Sequence, residues 1–292
     1  MASTANITLL DEDGVARTYN DVSRIALKNA DDPSETVVFS LDGAGSALLK
    51  SIIDGSVTEI AADDLYGITE IRNYAFDSCA NLTSIAIPNT VTTIGGWAFS
   101  GCSKLESVSM GTGVTSIGQS AFGTSGLRRV YINDLAAWCG IYFYNNYSNP
   151  LVRYNSSEVN DIILNGSICY TLTIPNSVNT IKKYAFIRSS ITSLFVPNSV
   201  WTIAEYGFNS CKNLETVTIG NGISGIGSYA FAGCSSLTTI VCQATSPPTI
   251  YSTTFNSVPA TCAIYVPAAG VNAYKSASYW SSRAAYIQAI PT

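Results

Sequence analysis

A unit of about 23 residues recurs six times in this chain, and that period limits the fold more than any other feature of the sequence. ITEIRNYAFDSCANLTSIAIP runs from Ile68 to Pro88, and VTTIGGWAFSGCSKLESVSMG from Val91 to Gly111. VTSIGQSAFGTSGLRRVYIN follows from Val114, VNTIKKYAFIRSSITSLFVP from Val178, VWTIAEYGFNSCKNLETVTIG from Val200, and ISGIGSYAFAGCSSLTTIVCQ from Ile223. Phe76, Phe99, Phe122, Phe186, Phe208 and Phe231 mark the register, spaced by 23, 23, an insertion, then 22 and 23. A length of 292 residues would ordinarily suggest two domains. Repeats instead grow by stacking around one core, so a single stack is expected.

Within each unit the L-x-x-I-x-I stretch alternates apolar and polar residues, as a half-buried strand requires: Leu82, Ile85 and Ile87, then Leu105, Val108 and Met110, then Leu214, Val217 and Ile219. Pro88, Gly111, Pro175, Pro197 and Gly220 close the strands, since Pro cannot donate to a ladder. The V-x-x-I-G-x-x-A-F stretch turns the chain back and fills the interior with Phe and Ile. One unit cannot stand alone. About six large apolar side chains at ~2–3 kcal/mol each do not offset ordering some 23 residues at ~1.5 kcal/mol apiece. Stacking supplies the remainder, so equivalent residues should lie ~5 Å apart, the strand spacing.

Composition removes several chemistries. The chain has no histidine, which excludes His-based acid–base catalysis, Ser–His and Cys–His nucleophiles, and most zinc sites. No nucleophile–base constellation and no matched acidic pair stands out, so no enzyme is expected and no cofactor is assigned. The net charge of −5 divides into −9 over residues 1–80 and +4 over residues 81–292. The basic residues form isolated pairs, Arg128–Arg129 and Lys182–Lys183, rather than a nucleic-acid-binding face. No run reaches the ~18–20 apolar residues of a membrane span. The first residues, MASTANITLLDEDG, show neither the basic region nor the apolar core of a signal peptide. Either a leader was removed or the chain leaves the cell by another route, if at all. Cys79, Cys102, Cys211 and Cys234 share one repeat position. They are expected as buried free thiols, because neighbouring coils hold their Cβ vectors parallel, unsuited to a bridge.

The pattern I-G-x-x-A-F-x-x-C-x-x-L-x-x-I-x-I-P-x-x-V resembles the BspA-type, or Treponema pallidum-type, leucine-rich repeat over roughly residues 60–290. The resemblance implies a right-handed, strand-rich leucine-rich repeat solenoid with short helices, forming a single elongated domain with caps. The layout expected is an acidic N-terminal segment or cap at 1–60, repeats at 61–132, an insertion at 133–168, repeats at 169–241, and a C-terminal cap at 242–292. VYINDLAAWCGIYF, SNPL and DIILNGS look like the family's insertion, with Trp138 and Cys139 in a short buried helix; SPPTIYSTTF and CAIYVPAAGVNAYKSASYW look like its closing cap. The resemblance further implies a surface-displayed or secreted bacterial adhesin that contacts a protein or glycan partner, without nucleic acid and without membrane insertion. The alternative is a structural or receptor-binding component of a larger particle, such as a phage virion or tail.

Other motifs carry simpler readings. Gly220-Asn-Gly222-Ile-Ser-Gly225 matches a dinucleotide fingerprint but lacks the helix that must follow, and is expected to be a turn. Asp11-Glu12-Asp13-Gly14 is expected in a hairpin turn rather than a calcium loop. Tyr74, Trp97, Ser120, Tyr184, Tyr206 and Tyr229 share one position and should stack along a surface, shielding the coil junctions rather than offering a sugar platform. The middle strand positions Ala86, Ser109, Tyr131, Phe195, Thr218 and Val241 should point outward. Tyr131 and Phe195 either anchor a ligand there or pack beneath the insertion. The insertion's YFYNNYS tract combines rigid rings with adaptable amides. The expected contact surface is therefore Tyr131, Tyr144, Tyr147 and Phe195, converging beside the outward strand face.

Overall fold

The computed structural model describes residues 57–65, 67–152 and 158–291 with their side chains. It also gives the backbone of four strands between Ala5 and Ser40. Ala5–Leu10 pairs antiparallel with Ala16–Val22, and Arg24–Lys28 with Thr36–Ser40. The first pair is the expected hairpin; its Asp-Glu-Asp-Gly turn lies outside the described residues.

From Val57 onward the described residues form a repeat solenoid with two ladders of parallel strands along one core. The L-x-x-I-x-I strands form the broad ladder. Its first sheet runs Glu59–Ile60, Ser84–Ala86, Ser107–Met110, Arg129–Ile132 and Asp161–Leu164, and ends in the short antiparallel strand Ser167–Ile168. Its second sheet starts afresh at Thr171–Thr173 and continues through Ser193–Val196, Thr216–Ile219, Thr239–Cys242 and Ala263–Val266 to Ile287–Ala289. The x-x-I-G segments form the narrow ladder of two-residue strands. It too is divided, into Glu70–Ile71, Thr93–Ile94, Ser116–Ile117 and Tyr142–Phe143, then Thr180–Ile181, Thr202–Ile203 and Gly225–Ile226.

A third set of bonds runs through the A-F turn. The Phe N–H donates to the carbonyl preceding the next Phe: Phe76 to Ala98 (2.8 Å), Phe99 to Ala121 (2.7 Å), Phe186 to Gly207 (2.8 Å) and Phe208 to Ala230 (2.8 Å). The N–H two residues later does likewise, as Ser78 to Ser100 and Ser210 to Ala232, both at 2.7 Å. This pattern needs left-handed backbone on either side of Phe. Tyr74, Trp97, Ser120, Tyr184, Tyr206 and Tyr229 have φ between 50° and 64°. Ser78, Thr124, Arg188 and Ser210 share the second left-handed slot with Gly101 and Gly233. Each non-glycine residue there costs ~1–2 kcal/mol, which the inter-coil bonds and ring stacking offset.

The six marker phenylalanines are buried. Phe76, Phe99 and Phe122 stack at 5.1 Å steps, and Phe186, Phe208 and Phe231 at 5.2 and 5.4 Å. Phe255 extends the second stack, 5.8 Å beyond Phe231. All eight cysteines are buried and free. Cys102, Cys211 and Cys234 donate to the carbonyls of Phe76, Phe186 and Phe208 in the preceding coils. Gly220 and Gly222 lie where two coils nearly touch; a Cβ on Gly222 would collide with the Asn198 carbonyl oxygen. The glycine motif is therefore an inter-coil turn.

Two boundaries shift from the sequence expectation. Glu59–Ile60 already pairs with Ser84–Ile85, so the repeats begin before residue 61. The segment 133–168 is built into the solenoid as a coil of its own. Helix α1 (Leu135–Cys139), capped by Asp134, buries Trp138 and Cys139; Tyr142–Phe143 then joins the narrow ladder and Asp161–Leu164 the broad one.

Candidate functional site

Strand alternation leaves two outward rows on the first broad sheet. One runs Glu59, Ser84, Ser107 and Arg129; the other runs Ala86, Ser109 and Tyr131, and is closed by Ile163, which is in register with them but buried. Because the four central side chains of these rows are small, the rows form the floor of a groove of about 520 Å³ rather than a ridge. Ser84, Ala86, Ser107 and Ser109 make that floor. Tyr131, 37 % exposed, stands at one end. Glu59 and Asp64 close the other, with Asp64 held by the turn Ala62–Leu65, where its carboxylate accepts the Ala61 N–H at 2.8 Å. Hydroxyls, a ring face and two carboxylates along a rigid floor suit an extended polar ligand, and equally a cationic one.

The structure does not bring the four expected contact residues together. Tyr131 lies on the first broad sheet between Ser109 and Ile163, and Phe195, 41 % exposed, on the second between Thr173 and Thr218. Thr171–Thr173 and the turn-back strand Ser167–Ile168 separate them in the chain order of the sheets. Tyr144 and Tyr147 belong to the other side of the coil. Tyr144, 58 % exposed, follows the narrow-ladder strand Tyr142–Phe143, and the half-buried Tyr147 sits in the A-F turn, its carbonyl accepting from Phe122. Residues near in sequence to an insertion need not share a face, because each coil visits both ladders.

Sequence reasoning missed Glu59, Asp64, Ser84 and Ser107. The signal was present in Val57-Thr58-Glu59-Ile60, which repeats the Thr83-Ser84-Ile85 strand pattern without its leading Leu. The outward side chains were found by alternation; the groove they line required the strand register.

The aromatic row is a ladder, as expected. Tyr74 and Trp97 stack at 5.3 Å, Tyr184 and Tyr206 at 5.2 Å, and Tyr206 and Tyr229 at 4.9 Å, with planes within 20°. Stacked rings cover one another's faces, and a sugar platform needs a free face. Their half-buried position favours shielding of the coil junctions.

Among the described residues no group of acidic, Cys or His side chains is arranged to hold a metal ion, and no helix is long and apolar enough to cross a membrane. Four of the buried thiols, Cys79, Cys102, Cys139 and Cys262, are poor nucleophiles. Burial raises Cys79 and Cys262 to about 11, and Cys102 and Cys139 to about 12.

A model of the BspA-type leucine-rich repeat region matches residues 69–166 and 157–282, in six copies. No curated protein matches the chain. Among solved structures, it is similar to a leucine-rich repeat protein from Eubacterium ventriosum, at 17 % identity over 91 % of this chain and 80 % of that one (TM-score 0.38). A leucine-rich repeat protein of T. pallidum shares 20 % identity over 74 % of this chain and 88 % of its own (TM-score 0.39). A leucine rich cell surface protein from Faecalibacterium prausnitzii shares 17 % identity over 100 % and 95 % (TM-score 0.39).

Proposed function

The chain belongs to the BspA-type leucine-rich repeat family, and on that premise we propose that it is a non-catalytic binding protein of the bacterial surface, gripping a protein or glycan partner along the broad-ladder groove. The observation that carries this reading is the groove itself. Small side chains at Ser84, Ala86, Ser107 and Ser109 leave an open floor of about 520 Å³ between Tyr131 and the Glu59–Asp64 end. Each floor residue sits on a strand hydrogen-bonded on both sides, so the surface is preorganised and little freedom is lost on binding. Tyr131 supplies the anchor ring that binding hot spots favour.

Ser109→Arg tests the reading, because it fills the floor from an outward position without touching the core. Screened against a printed panel of glycans and extracellular proteins, the wild-type chain should capture a defined ligand. Ser109→Arg and Tyr131→Ala should each weaken that capture at least tenfold with an unchanged melting midpoint. Undiminished capture by both variants would place the contact surface elsewhere.

A further inference from the structure

The turn ladder ends with donors and no acceptors. In the preceding coil, the Phe231 N–H donates to the Thr254 carbonyl at 3.0 Å and the Gly233 N–H to the Asn256 carbonyl at 2.8 Å. One coil further on, the equivalent donors are the N–H groups of Phe255 and Ser257. Neither has an acceptor among the described residues. Ser257 keeps the left-handed backbone of its slot, with φ 59°. The chain that follows returns to the broad ladder through short helices rather than another A-F turn, Trp280 packing on Phe255 at 5.6 Å. A pocket of about 340 Å³ opens beside it, lined by Tyr251, Ser252, Asn256, Ser257, Tyr279 and Arg283.

Arg283 gives the pocket its charge. Its guanidinium lies 5.7 Å from the Phe255 ring centre and donates to the carbonyls of Phe255, Val258 and Pro259 at 2.9–3.1 Å. These bonds fix it in place without neutralising it, and among the described residues it has no carboxylate partner. Two backbone donors left over from a repeating ladder, with a fixed guanidinium beside them, form a concavity for an anion. The walls add a second requirement. Tyr251 and Tyr279 are each about half exposed, at 51 % and 50 %, and stand free of the aromatic ladder. Ring faces beside the hydroxyls of Ser252 and Ser257 and the amide of Asn256 match a hydroxylated ring better than a bare carboxylate.

We propose that this C-terminal pocket is a second binding site, for the carboxylate-bearing ring of an acidic sugar such as a uronic acid. The sugar carboxylate accepts from the Phe255 and Ser257 N–H groups beside Arg283, in the place a next coil's carbonyls would occupy, while the ring lies against Tyr251 or Tyr279. The site goes beyond the groove reading and does not depend on it.

D-glucuronate titrated into the full chain tests this, followed by the amide proton–nitrogen spectrum. The Phe255 and Ser257 amide signals should move saturably. D-glucose at the same concentration should leave them in place, and sodium acetate and N-acetyl-alanylalanine should bind at least fivefold more weakly than glucuronate. Arg283→Gln should weaken glucuronate at least tenfold. Because Arg283 also ties down three carbonyls, Tyr251→Ala serves as the second variant; it should weaken binding at least fivefold with an unchanged melting midpoint. Ser109→Arg should have no effect. Equal shifts with glucose, equal or tighter binding of acetate or the dipeptide, or amide shifts that avoid Phe255 and Ser257 would each overturn the proposal.

Discussion

The regular coils and the coil at 133–164 solve the same stacking problem with different groups. In a regular coil, the carbonyl before each Phe accepts the backbone N–H of the Phe one coil back, as Ala121 does from Phe99 at 2.7 Å. At Ala185 the donor one coil back would be Ser148, which holds the Phe slot but turns its N–H to Asn145. Side chains take over. Trp138 Nε1 reaches the Ala185 carbonyl at 2.8 Å, and Asn149 Nδ2 donates to the Tyr184 and Ala185 carbonyls at 2.9 and 3.1 Å. Asn160 closes the seam, its N–H donating to Arg188 and its carbonyl accepting from Ser190, both at 2.9 Å. The apolar volume is replaced too: Trp138 packs on Phe143 at 5.5 Å where the Phe stack is interrupted. Regular coils are therefore held by main chain that any sequence provides, and the odd coil by particular side chains.

The largest expected effect lies in the regular coils. Phe99, fully buried between Phe76 and Phe122, should lose ~3–5 kcal/mol on Phe99→Ala. Denaturant melts read it, and a loss under ~1 kcal/mol would break the comparison by placing Phe99 outside the stack. The next is specific to the odd coil. Asn149→Ala takes the side-chain donor from the part-buried Tyr184 carbonyl and the acceptor from the buried Leu151 N–H, and should cost ~1–3 kcal/mol. A neutral result in the same melts would mean that main chain suffices there as well.

The smallest effect should be common to both regions. Cys102 in a regular coil and Cys139 in the odd one are each raised by burial from 9.0 to about 12. Above pH 9 the unfolded chain releases thiol protons that the folded chain keeps. The stability contributed is therefore full below pH 9 and falls as pH rises toward 12. Melting midpoints of Cys102→Ala and Cys139→Ala should each lose part of that alkaline decline. A decline relieved by only one variant would show that the two coils bury their thiols differently. Denaturing, non-reducing thiol titration should also find both cysteines of the Cys79–Cys102 pair reactive.

Much of the fold was legible because it is written in apolar periodicity. The Phe positions, the outward middle residues of the strands and the unpaired cysteines follow from spacing, and the buried Trp138–Cys139 helix from the family resemblance. Phe255 escaped because its coil lacks the I-G-x-x-A lead, and only the ring stack on Phe231 reveals it. The coil at 133–164 read as an insertion because Ser148 replaces the marker Phe and the tasks of Asn149 and Asn160 are polar, which no hydrophobic count registers. The candidate site was legible by half. Alternation gives Tyr131 and Phe195 their outward direction, but separating Tyr144 and Tyr147 from them required knowing that a coil crosses to the narrow ladder before it returns.

Both ladders are interrupted at the same junction, between Tyr142–Phe143 and Thr180–Ile181 on one side and between Ser167–Ile168 and Thr171–Thr173 on the other. A chain pulled at its two ends carries the load through every junction in series, so the junction with the fewest bonds sets the breaking force. Between regular coils, two strand pairings and the turn bonds must shear together. Across this seam the load falls on the Asn160 bridge, a Lys182–Cys139 contact at 3.3 Å, and the side chains of Trp138 and Asn149. Stretched end to end, the solenoid should part there first, into two blocks that each keep their own stacked phenylalanines. An irregular coil that is unremarkable at rest thus becomes the point that yields when a tethered molecule is under shear.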